Sequence, residues 1–175
     1  MSAETSNNLT MGQIVGLVAS LFVLICFFMP WIELNMLIVS ANLSGYQLAT
    51  GSGPAGSSFP GVPSLLLLPL GMLAVVGIVS SRLLGKGAAA PLQKISPLVL
   101  IAVGGLSVAI LLYQYINLNA QFNQNVFGLV AQNVFSYSFG AGASLFGSLI
   151  VAAGGLLDLR AATATRIPQP DENRR

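Results

Sequence analysis

The sequence predicts an all-α membrane protein: a four-helix transmembrane bundle with a small β hairpin in the first outer loop. Three observations predict it. Of the 175 residues, 54% are hydrophobic and only 7% charged, whereas a soluble domain carries about a quarter charged residues. So few charges cannot coat a water-facing surface of this size, and the mean hydropathy of +0.80 agrees. Four apolar runs approach the roughly 20 residues that cross a bilayer core. The seven Lys and Arg fall in just two segments, which fits an even number of crossings.

The first run covers residues 11–31 and follows a tail of residues 1–10. Its flank is poor in positive charge, so it reads as an uncleaved span rather than a signal peptide. It ends in FFMPWIEL. Pro30 stops the helix and biases Met29 toward an extended backbone. Trp31 is placed at headgroup depth, where an amphipathic ring is favoured. Glu33 follows as a solvated loop carboxylate. The first outer loop then begins with β-prone residues 32–39, turns at residues 41–45 and returns through Tyr46-Gln47-Leu48, a hairpin pattern. Residues 51–61, GSGPAGSSFPG, read as a small-residue linker without strand or helix pattern, mobile unless covered.

The second run spans about residues 62–81 and opens on Pro63. Pro69 lies inside it and is expected to kink it. The third spans about residues 96–116. Ser96-Pro97 reads as its cap and first turn. A second outer loop, residues 117–138, is uncharged and mixes Asn and Gln with Phe, Val and Tyr137, a composition suited to an interfacial surface or a subunit contact. The fourth run spans about residues 139–157. None of the four runs contains a charged side chain. A domain of residues 11–160 is followed by a tail, residues 161–175, expected to be disordered.

Orientation follows from the positive residues. Arg82, Lys86 and Lys94 separate the second and third runs, and Arg160, Arg166, Arg174 and Arg175 follow the fourth. With four spans all seven lie on one side. That predicts cytoplasmic N and C termini in a multi-pass protein, and the composition suggests a bacterial cytoplasmic membrane.

Small residues recur where helices can approach closely. Gly12 and Gly16 stand four apart in the first span, and Gly105 and Ala109 in the third. Gly140, Ser144, Ser148 and Ala152 form a four-turn stripe on the fourth. The stripe faces another helix, belonging either to this chain or to a partner. Tyr113 and Tyr115, with Trp31, read as interfacial anchors. Pro69, Tyr113 and Gln114 mark a possible ligand pocket between helices.

Function in membranes usually leaves ionisable residues inside the bilayer, and the four runs have none. The chain has no His and a single Cys, Cys26, which removes intrachain disulfides and any His/Cys metal cluster. There is no paired-carboxylate site, nucleophile dyad or phosphate loop. No cofactor, metal, nucleic acid or catalytic residue is therefore expected, and an enzyme is not.

PW at the end of the first span, SGYQLATG in the outer loop and GAGASLFGSLIVAAGG in the fourth run together resemble a loose set of uncharacterised bacterial four-span membrane proteins. The layout is also similar to the claudin and peripheral-myelin-protein group, which has a β-rich first outer loop with a tryptophan. The GLW-type motif and paired loop cysteines of claudins are absent here. Neither resemblance implies an activity. The leading expectation is a non-catalytic accessory or structural subunit that packs against partner membrane proteins, or copies of itself, through the fourth-span stripe and the outer loops. The alternative is a small-molecule or lipid carrier with a pocket between helices.

Overall fold

Thr10 starts the first helix with a capping box: its Oγ1 accepts from the Gln13 backbone N–H, while the Gln13 side chain accepts from the Thr10 N–H. This satisfies two donors that would otherwise point into an apolar environment. A computed structural model describes this chain over residues 9–35, 40–53, 56–83, 90–124 and 135–164. Helix α1 (Met11–Phe28) ends at Met29, whose ψ of 161° is extended, as a residue before proline prefers.

Strand β1 (Pro30–Asn35) follows at once. It is the central strand of a three-stranded antiparallel sheet of order β2-β1-β3, with β2 (Ser40–Ser44) and β3 (Phe135–Tyr137) at its edges. The hairpin is present but shifted in register from the expected one. Ala41 to Ser44 belong to β2 rather than to a turn, and Tyr46, Gln47 and Leu48 lie in a short helix, α2 (Gly45–Thr50). The cause is a second capping box, Ser44 with Gln47, which favours a helix start over a strand. The second outer loop supplies β3, pairing Ile32 with Tyr137 and Glu33 with Ser136. Glu33 is therefore not a loop carboxylate. It is half-buried in the central strand, and its Oε1 accepts from Ser138 Oγ at 2.9 Å.

The described part of residues 51–61 is folded back rather than an unpatterned linker. Gly51 adopts φ 74°, a left-handed conformation open to glycine, and ends α2. Gly53 N–H donates to Ser57 O, Phe59 N–H to Gly51 O and Val62 N–H to Leu48 O.

The second span starts as a 3-10 turn (Pro63–Leu66) and continues as α3 (Leu67–Leu83). Pro69 thus falls in the first turn of α3 instead of mid-helix. Its missing N–H breaks no bond of the α-helix there. The third, α4 (Ala90–Gln124), begins before Ser96, so Ser96-Pro97 is not a cap: Pro97 lies inside the helix and Ser96 is buried. The fourth, α5 (Phe139–Ala164), runs past Leu157.

Helix α1 packs on α3 and α5, and α4 packs on the same two, so chain order runs once round the ring. Each of these helices thus lies beside its neighbours in sequence, and the first lies beside the last. Val23, Phe27, Leu68, Met72, Val75, Leu100 and Val151 fill the centre. Ile25, Leu70, Leu73, Leu106 and Phe146 point outward, exposed. Apolar side chains on both sides of the helix walls suit a bundle surrounded by lipid. Among the described residues, four helices are long and apolar enough to cross a membrane, and the chain is a multi-pass integral membrane protein.

Candidate functional site

Two features stand out, one at each end of the bundle. At the end away from the sheet, a polar cluster joins three helices. Gln13 Nε2 donates to Ser96 Oγ and to Asp158 Oδ2, each at 3.1 Å. Asp158 is only 5% exposed. Hydropathy ends the fourth run one residue short of it, but the helix continues and carries this acid into the packing. The contact requires close backbones. A Cβ on Gly12 would strike the Gly154 carbonyl, and one on Gly154 would lie 2.8 Å from the Gly12 carbonyl. The three groups satisfy one another as a register pin between α1, α4 and α5.

At the sheet end, a cavity of about 410 Å³ opens between α4 and α5 beneath the sheet. Trp31 and Ile32 of β1 form its roof with Tyr137 of β3. Leu48 of α2, with Val62 and Leu65 of the approach to α3, closes one side. Leu111, Leu112, Gln114 and Tyr115 of α4 face Ala141, Gly142 and Leu145 of α5.

Trp31 is locked as a wall. It is 4% exposed, its Nε1 donates to Cys26 O at 2.9 Å, and its ring meets Phe27 edge-on. The small Gly45 and Gly140 let it lie flat, since a Cβ on either would come within 2.7 Å of its ring. Polar groups gather at the mouth. Gln114 Nε2 donates to Ser64 Oγ at 3.0 Å, tying α4 to the start of the second span. Tyr115 and Tyr137 are half-exposed, with ring centroids 5.0 Å apart. Burial pushes the Tyr137 hydroxyl above the usual phenol range, and Tyr115 adds to the effect.

Of the residues marked for a pocket, Gln114 lines this cavity. Tyr113 is 66% exposed and faces outward, and Pro69 lies below Leu65, outside the lining. Trp31 is an internal wall here, while Tyr115 stands at the mouth.

Among the residues marked for helix packing, Gly12 meets α5 and Gly16 meets Leu100. Gly140 packs on Pro30 and Trp31. Ser144 and Ser148 are buried, and Ala152 touches Gly104. Gly105 and Ala109 face outward; the neighbouring Gly104 makes the contact with α5. The Asn and Gln residues at 125–133 of the second outer loop lie outside the described residues.

Sequence reading missed Gln13, Ser96 and Asp158. The signals were present as a Thr-x-x-Gln cap and an acid one residue beyond an apolar run. Compared with protein-family models, curated proteins and solved structures, the chain finds no match.

Proposed function

We propose that this membrane protein works by binding rather than by catalysis, taking an apolar, lipid-like ligand into the cavity at the sheet end. The observation that carries this reading is the cavity: a space of about 410 Å³ walled by apolar side chains, with polar groups confined to its mouth. Ligand sites are typically apolar concavities of ~300–1,000 Å³ with a few convergent polar groups. The positive residues put the sheet end on the outer side of a cytoplasmic membrane, both termini inside. The ligand would then enter from the outer leaflet.

The accessory-subunit reading is weaker. Its main motive was the fourth-span stripe, and α1 and α4 of the same chain cover Ser148, Ala152 and Gly154. What favours it is a shallow apolar groove between α1 and α5, lined by Val18, Phe22, Phe146 and Ile150.

Gly142 gives the test. It lines the cavity, and a Cβ there would meet nothing within 4 Å. Gly142→Phe should therefore fold and fill the space. Protein purified from membranes in mild detergent should retain a near-stoichiometric apolar ligand by mass spectrometry of its extract. Gly142→Phe should lose it, while Gly105→Phe, on the outward face, should keep it. Equal retention in folded Gly142→Phe would overturn the proposal.

A further inference from the structure

Resting on that reading of the cavity, we propose that its ligand is a single-chain amphipath with an uncharged head bearing hydroxyl or carbonyl groups. The chain lies below Trp31 and the head at Gln114, Tyr115 and Tyr137.

Three observations carry this. The first is size. About 410 Å³ is near the lower end of the usual range for ligand pockets, ~300–1,000 Å³, which suits one chain rather than two.

The second is charge. Among the described residues, no Lys, Arg, Asp or Glu lines the cavity. Among the described residues, Arg82 closes α3, Lys94 lies near the start of α4 and Arg160 near the end of α5, each far in sequence from the cavity walls. The charged residue nearest in sequence to the cavity walls is Glu33, next to the wall residue Ile32. A phosphate head would find no counter-charge in the lining.

The third is hydrogen-bonding capacity. The Trp31 N–H is already spent on Cys26 O, so the deep wall offers no donor. At the mouth, Gln114 Nε2 is engaged by Ser64, and its Oε1 takes no hydrogen bond from another described residue. The Tyr115 and Tyr137 hydroxyls are likewise unengaged by described residues, and each can donate and accept. Neutral acceptors and donors therefore converge where the head would sit, with nothing to bind an ion. A cationic head would find no carboxylate in the lining: Glu33 follows the wall residue Ile32 on the strand, so it faces the other side of the sheet, and it accepts from Ser138.

Trp31 is the only tryptophan and forms the wall, so its fluorescence reports the cavity alone. Two probes with the same dibrominated acyl chain are compared in micelles of uncharged detergent: a monoacylglycerol and a lysophosphatidylglycerol. The monoacylglycerol should quench Trp31 at about tenfold lower mole fraction, a difference of ~1.4 kcal/mol. Gly142→Phe should abolish this quenching. The Gln114→Leu/Tyr137→Phe double variant should weaken it about three- to tenfold, the scale of one or two neutral hydrogen bonds.

Equal quenching by both probes, abolished by Gly142→Phe, would overturn the uncharged head and leave the cavity reading standing. Stronger quenching by a brominated acylcholine would do the same in favour of a cation. Quenching that Gly142→Phe leaves unchanged, or no quenching at all, would overturn both.

Discussion

Gln13 holds three helices with one side chain. Its Oε1 caps its own helix at Thr10, and its Nε2 serves both Ser96 and Asp158. Gln13→Leu leaves a buried carboxylate without its only donor among the described residues. An unsatisfied buried group costs about 1–3 kcal/mol, more when it carries charge. Gln13→Leu should lower the thermal unfolding midpoint in detergent. The Gln13→Leu/Asp158→Leu double variant should recover most of the loss, because replacing both partners by apolar groups removes the stranded acid. A double variant worse than the sum of the singles would refute this account.

Tyr137 makes a second prediction at the same scale. Its folded-state pKa is raised above the ordinary 10.0, by burial first and Tyr115 second. The folded state therefore holds this proton more tightly than the unfolded chain. That contribution is complete below the unfolded value and is lost as pH rises through the folded one. Phenolate absorbance during alkaline titration should show a late component that Tyr137→Phe removes. The Thr10-x-x-Gln13 and Ser44-x-x-Gln47 boxes are both visible in the sequence as helix starts. Asp158 is not, because a hydropathy window scores it as the beginning of the tail and cannot see that Gly12 and Gly154 bring a partner to it.

Helix faces explain where small residues matter. A Cβ on Gly104 would lie 2.6 Å from Ala152 N and 2.8 Å from Ser148 O, both backbone atoms, whereas one on Gly105 meets nothing within 4 Å. Gly104→Leu should destabilise the bundle by about 1–3 kcal/mol or more, as overpacking does. Gly105→Leu should be nearly silent, both read as shifts in unfolding midpoint. The adjacent pair of glycines conceals which one faces α5, since a stripe read four residues at a time fits either. The prolines mislead for a related reason. Pro63 and Pro69 together select a 3-10 start for the second span, and Pro97 is carried within a helix that begins earlier than its cap-like neighbour implies. The first strand is legible from its β-prone run. The third is hidden because Phe-Ser-Tyr acquires its strand conformation from pairing with Ile32, Glu33 and Leu34, more than 100 residues earlier.

For the molecule as a whole, hydropathy and the two positive segments suffice to predict four spans, because the bilayer sets helix length directly. The cavity has no such signature. It exists because the sheet and α2 hold the sheet-end parts of α4 and α5 apart from the start of the second span, a relation among distant elements that periodicity does not record. The ring also has a seam. The first span closes against the last, with the Gly12–Gly154 approach at one end and the Ser138 N–H to Trp31 O bond at the other. A chain made from its N-terminus inserts α1 long before α5 exists. Until then Gln13 lacks Asp158, Gly12 lacks the α5 backbone that packs on it, and β1 lacks its second edge partner. The bundle is therefore closed only by the last span to be synthesised, which brings Asp158 to Gln13 and the Gly154 backbone to Gly12.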